Sequence, residues 1–192
     1  MRVIAGSAKG RRLRTPRASE MRPTTDMARQ TIFDILGDAP VGARVLDLFA
    51  GAGTLGIEAL SRGASEAMFV DDDRDACAVI LANLEATSLR ANGTIRRADV
   101  LRFLSRQSSV RYDLAFLDPP YGRGLGFVAR VLDVLAVRTW MQPGGTVVVE
   151  AEVGQVDWPP GFRETRTRRF GRTQVSMAVS DERATSDLSG DV

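Results

Sequence analysis

The sequence predicts an α/β fold: a mostly parallel seven-stranded sheet with one antiparallel strand, preceded by an amino-terminal β-hairpin and helix. Three observations carry that expectation. Short aliphatic runs alternate with helical stretches, a glycine-rich turn follows the first run, and two strand-like segments near the carboxyl end are hinged at Gly171. With 192 residues, 44% hydrophobic and 26% charged, the chain fits one domain with a full core.

At the amino end, residues 2–5 and 12–14 read as two short strands around Gly6 and Gly10, an appendage to the main body of the chain. Thr25 is placed to cap a helix with Asp26 in its first turn, and Ala28, Ile32, Ile35 and Leu36 recur with helical spacing. Arg22, Thr24 and Arg29 then fall near an exposed end. Strand-like runs come next at 44–49, 66–71, 94–97, 112–117 and 146–151. The segments between them, 54–62, 74–86, 100–107 and 125–139, have helical patterning, so the strands should lie parallel with helices on both faces. Residues 162–170 and 173–179 form the terminal hairpin that supplies the antiparallel strand. The expected organisation is a basic extension at 1–37, a main domain at 38–180 and a polar, acidic, disordered tail at 181–192.

Composition excludes several chemistries. Histidine is absent and Cys77 is the only cysteine, so there is no Ser-His or Cys-His nucleophile, no internal disulfide and no imidazole- or cysteine-rich metal site. No metal is expected. No apolar run approaches the roughly 18 residues of a membrane span, and Lys9 interrupts the start where a secretory signal would be apolar, so a soluble cytoplasmic protein without membrane contact is expected. The net charge of +2 is unevenly spread: the first 30 residues carry +6, the remainder −4. Arg163, Arg166, Arg168, Arg169 and Arg172 make a second basic cluster against Glu164. Two basic patches point to a polyanion, nucleic acid foremost, with a solvated charged face as the plain alternative.

Gly51, Gly53 and Gly56 match G-x-G-x-x-G where the first strand enters the first helix, and Asp71 follows Gly51 by 20 residues at the end of the next strand. A strand-end carboxylate there suits ribose hydroxyls, and the turn suits a nucleotide-type cofactor. The loop alone is shared by dehydrogenases and methyltransferases. Asp47, four residues before Gly51, suits an amino-acid ammonium, which a dinucleotide lacks. Little chain remains for a separate dehydrogenase substrate domain, and the fourth strand ends in Asp118-Pro119-Pro120-Tyr121. Two prolines remove two backbone donors, so this corner offers acceptors suited to an exocyclic amine, with Tyr121 placed to stack on the base. Phe49 and Phe69 sit in apolar strands and read as core, Phe49 at the edge of the cofactor loop; Cys77 reads as packing, Asp73 as a helix cap. Asn83 is either a cofactor-side residue or an exposed helical one.

These motifs resemble the S-adenosylmethionine-dependent methyltransferases of exocyclic amines, and more narrowly the bacterial 16S ribosomal RNA guanine-N2 methyltransferase family. The resemblance rests on Arg22-Pro-Thr-Thr-Asp26 leading into Arg29-Gln-Thr-Ile-Phe33, on Val45 to Gly53 with Leu55 to Gly63, on Asp118 to Tyr121 and on Phe170-Gly-Arg-Thr173. It implies a Rossmann-like class I methyltransferase fold and methylation of guanine 966 of the small-subunit RNA, free or in a partly assembled subunit. By resemblance, Asp47 and Gly51 to Gly53 hold the methionine end of S-adenosylmethionine, Asp71 its ribose, and Asp99 and Val100 its adenine, with Phe49 also counted among the cofactor-binding residues. Asp118, Pro119 and Tyr121 hold the target base, and Arg11, Arg12, Arg22, Thr24 and Arg29 face the RNA. Relatives usually carry Glu at Asp71, Arg at Met27 and Glu at Gln30. An adenine-N6 methyltransferase, a protein-amine methyltransferase, a nicotinamide oxidoreductase and a non-catalytic RNA-binding assembly factor remain as alternatives.

Overall fold

The computed structural model describes residues 1–15, 26–120 and 122–181. The roles expected of Arg22, Thr24, Thr25, Tyr121 and the tail beyond 181 lie outside the described residues.

Seven strands form one sheet: β1 (Arg44–Leu48), β2 (Glu66–Asp71), β3 (Gly93–Arg97), β4 (Tyr112–Leu117), β5 (Met141–Glu152), β6 (Phe162–Phe170) and β7 (Thr173–Ser180), in the order β3-β2-β1-β4-β5-β7-β6. The first five run parallel. β7 pairs antiparallel with both β5 and β6, which makes it the one reversed strand. The helices are α1 (Asp26–Leu36), α2 (Thr54–Ser61), α3 (Arg74–Ala86), α4 (Val100–Leu104) and α5 (Gly124–Val137). α3 has the span that its apolar spacing predicts, begun by Asp73, whose carboxylate accepts the Asp75 and Ala76 amides. α4 stops at Leu104 rather than 107, ahead of the polar stretch Arg106-Gln-Ser-Ser109.

β5 starts earlier than its β-branched run. Met141 pairs with Tyr112, and the register then shifts so that Leu114 faces Thr146. Pro143, Gly144 and Gly145 fill that irregularity; a Cβ on Gly145 would lie 2.9 Å from the Gln142 carbonyl.

Parallel strands alternate their side chains between two cores. Val45, Phe69, Leu114, Phe116, Val148, Val175 and Met177 meet α1, α2 and α3 on one face. Leu46, Leu48, Ala115, Leu117, Val147 and Val149 meet α4 and α5 on the other. The amino-terminal segment is not an appendage. Its Val3, Ala8 and Leu13 are buried in the first of these cores, and its two arms share a single antiparallel bridge, Arg2 to Arg12.

Polar groups of α2 hold that segment. The buried Glu58 carboxylate accepts the amides of Ile4 (2.7 Å) and Ala5 (3.0 Å) and the Arg62 Nε–H (2.8 Å). Ser61 accepts the Ala8 amide at 2.9 Å and donates to the Ala5 carbonyl. Arg29 is a further departure: it is 0% exposed, not at an open end. Its Nη2 donates to the Arg2 carbonyl and to Asp26 at 2.9 Å, because the amino-terminal segment folds across α1 and covers it. Burial lowers its pKa, against the opposing pull of Asp26 and Glu58.

Replacing Glu58 by Ala removes the buried acceptor of two part-buried amides and of a guanidinium. Glu58→Ala is expected to cost about 3 kcal/mol of unfolding free energy, read by urea denaturation; a loss below about 1 kcal/mol would show that the α2 clamp is not a major restraint.

Candidate active site

β1 ends at Leu48, and the chain passes through a left-handed Phe49 (φ 59°) and the positive-φ Gly51 and Gly53 before entering α2. Two carboxylates hold this turn from beneath. Asp71 Oδ2 accepts the Gly51 amide at 2.8 Å while its Oδ1 accepts the Asp73 amide at 2.9 Å. Asp47 Oδ2 accepts the Gly56 amide at 2.9 Å. Glycine is required at 56, since a Cβ there would stand 2.4 Å from the Phe69 ring and 2.9 Å from that Asp47 oxygen.

Burial pushes the Asp47 carboxyl up to about 8, opposed by the Gly56 hydrogen bond and reinforced by nearby Asp71. Asp71 is also raised, first by burial, although the amides of Gly51 and Asp73 pull the other way. Asp47 is thus tucked beneath the turn and braces it.

Sequence spacing leaves Asn83 undecided, and the structure places it at 0% exposure. Its Oδ1 accepts the Arg14 amide at 2.8 Å, and its Nδ2 donates to the carbonyls of Arg14 (3.0 Å) and Ala52 (2.9 Å). One amide therefore joins the basic amino-terminal segment to the glycine turn. Helical periodicity does not reveal such a role, because the partners lie 69 and 31 residues away.

Across the sheet, Leu48 pairs with Leu117, so the Asp118 corner emerges beside the glycine turn. Asp118 and Pro119 are half-buried and Pro120 is exposed. They border a cleft shared with Arg123, Val128, Glu150 and Glu152. Phe49 reaches from the turn toward α5, its ring 5.7 Å from that of Phe127. At the next strand end, Asp99 caps α4 through the Arg102 amide at 2.9 Å and is exposed, while Val100 is buried. The structure thus gathers Asp47, Phe49, Gly51, Gly53 and Asp71 in one turn, with Asp118 and Pro119 beside it and Asp99 and Val100 along the same carboxyl edge. Arg11 and Arg12 are exposed on the amino-terminal segment. Cys77 Sγ lies 3.6 Å from the Asp71 carbonyl, and burial raises its pKa. Among the described residues no cluster of Asp, Glu or Cys is arranged to hold a metal, and no helix is long and apolar enough to cross a membrane.

Residues 1–179 match the family model described as conserved hypothetical protein 95. The chain is 37% identical to ribosomal RNA small subunit methyltransferase D of Escherichia coli K12 over 189 residues, covering 97% of this chain and 93% of the relative. It is 36% identical to YlbH of Bacillus subtilis strain 168, with 92% and 97% covered. The solved structure of yhhF from Escherichia coli superposes with a TM-score of 0.85 at 33% identity, covering 94% of this chain and 98% of that one.

The raised Asp47 pKa has a testable sign. The folded chain keeps a proton on Asp47 up to about pH 8 that the unfolded chain releases near its ordinary 3.8, so this group's contribution to stability falls as pH rises between those values. Asp71 acts in the same direction. Asp47→Asn keeps an acceptor for the Gly56 amide and removes one titration. Denaturation at pH 5 and pH 8 should show a smaller decline for the variant than for the parent; a steeper decline would contradict the assignment.

Proposed function

The chain belongs to the conserved hypothetical protein 95 family, and from that premise we propose that it is an S-adenosylmethionine-dependent methyltransferase of small-subunit ribosomal RNA. It modifies the exocyclic N2 amine of guanine 966 in 16S RNA, free or within a partly assembled subunit. The observation that carries this reading is the Asp118-Pro119-Pro120 corner standing beside the glycine turn, in a chain similar along almost all its length to an enzyme named for small-subunit RNA methylation.

The residues present fit the cofactor. Each Asp71 carboxylate oxygen accepts one backbone amide and keeps a further lone pair, so the pair can take two vicinal ribose hydroxyls. The positive-φ turn at Gly51 and Gly53 leaves backbone that would take the amino-acid end, and Asp47, buried beneath the turn, would hold its ammonium by ionising when the cofactor binds. The exposed Asp99 carboxylate would accept from the adenine amine, with Val100 packed in the core behind it. When bound, S-adenosylmethionine supplies an electrophilic methyl group.

The chain's own residues prepare the amine. The lone pair of guanine N2 is delocalised into the ring, which makes it a weak nucleophile. Asp118 Oδ and the backbone carbonyls of the double proline accept the N2 hydrogens, which turns the lone pair out of conjugation and offsets the positive charge that nitrogen gains. The prolines cannot donate, so no N–H competes for that lone pair. The excess proton then passes from N2 to solvent. Tyr121 stacks on the base drawn out of its helix or loop.

Arg11 and Arg12, with Arg22 and Thr24 further along, meet the RNA backbone. Arg29 acts differently, since from its buried position it fixes the segment that carries Arg11 and Arg12.

Asp118→Ala should retain S-adenosylmethionine affinity by calorimetry and lose turnover on 16S RNA by roughly a hundredfold. Turnover equal to the parent's would refute the accepting role.

A further inference from the structure

The amino-terminal segment accounts for only one of the two basic regions. We propose that Arg166 and Arg168 of β6, with Arg172 in the turn after it, form a second phosphate-binding track for the RNA strand that carries the target base. The inference rests on the RNA-methyltransferase reading and extends its contact surface.

Position supports it first. β6 is an edge strand of the sheet, and Arg166, Arg168 and Arg172 are exposed. Because β6 runs in the same direction as β4 and β5, its Phe170 end lies at the edge of the sheet where the Asp118 corner emerges. The Arg172 carbonyl accepts the Val153 amide at 3.1 Å, directly after Glu152, which borders the cleft. Three strand spacings separate β6 from β4, roughly 14 Å, a distance spanned by a few nucleotides of single strand.

The face is also the right one. Arg166 stands opposite Met177 and Arg168 opposite Val175, and directly opposed residues of an antiparallel pair project from the same side. Met177 and Val175 belong to the core that α1 and the amino-terminal segment cover. Arg166 and Arg168 therefore project from the face of the sheet that α1 and the segment bearing Arg11 and Arg12 cover, with Arg172 in the turn at the end of the strand.

Among the described residues no carboxylate is paired with their charge. Glu164, the one carboxylate of the strand, accepts the Thr167 hydroxyl at 2.5 Å, and Arg168 Nη1 reaches only the Thr167 carbonyl at 3.3 Å. Arginine binds phosphate oxygens through two parallel N–H groups, and a ladder at alternate strand positions repeats that geometry.

The test compares the full-length parent with an Arg166→Gln, Arg168→Gln, Arg172→Gln variant, using protein-free unmethylated 16S RNA as the probe. The variant should keep S-adenosylmethionine affinity by calorimetry and turnover at saturating RNA. RNA binding should weaken about tenfold or more near 0.1 M salt, and the slope of log Kd against log salt should fall by about 2, close to 0.7 per lost contact. The corresponding triple Lys variant should recover the slope, and Arg168→Gln alone should carry about a third of the change, which keeps the test open if the triple variant folds poorly. Unchanged Kd and slope, in a parent that methylates the RNA, would overturn the track and leave the methylation reading standing. A variant that self-associates while binding RNA as before would assign the arginines to protection of an open sheet edge and overturn the track equally. A parent that methylates neither the protein-free RNA nor small subunits lacking the modification would overturn the underlying reading, and the track with it.

Discussion

The structure turns on the parallel pairing of β1 with β4 at the centre of the sheet, Leu48 against Leu117. From β1 the chain crosses to one face through α2, whereas from β4 it crosses to the other through α5, as their separate cores show. Helices leaving neighbouring strands on opposite faces open a crevice at the carboxyl edge. That crevice brings a backbone turn open to a nucleotide next to a corner rich in acceptors. Loss of the pairing, or its slippage by one residue, would turn Asp47 to the wrong face and remove the brace under Gly56.

Polar groups buried on the α2 face then connect the glycine turn to the amino-terminal segment. Glu58 and Ser61 grip the backbone of the amino-terminal segment, and Asn83 ties the end of that segment at Arg14 to the glycine turn at Ala52. A buried amide with its hydrogen bonds met is rigid, since leaving any one unmet carries a desolvation cost. The segment bearing Arg11 and Arg12 is thereby fixed to the glycine turn. Its removal would uncover the core partners of Val3 and Leu13 and strand Glu58, so charge substitution is a cleaner probe of RNA contact than truncation.

Local patterns made most of this architecture legible. The apolar spacing of residues 74–86, the run at 66–71 and the glycine turn all coincide with the elements of the structure, because each is decided by nearby residues. Two kinds of feature escaped. The start of β5 is hidden by Pro143-Gly-Gly145, whose composition signals a turn although Met141 is already paired. Arg29 and Asn83 look like surface residues by type, and their burial is imposed by a segment distant in sequence that a one-dimensional pattern cannot place. The Asp118 corner lay between these cases: its acceptors follow from sequence, its position beside Phe49 from topology.

The central claim is that this corner presents a guanine amine for methylation. Its most direct measurement is incubation of the full-length protein with radiolabelled S-adenosylmethionine and small subunits lacking the modification, followed by mapping of the labelled nucleotide and mass analysis of its nucleoside. The account predicts label on one guanine of 16S RNA, at 966, as N2-methylguanosine. Label on an adenine, on a ribosomal protein or on no RNA nucleotide would contradict it.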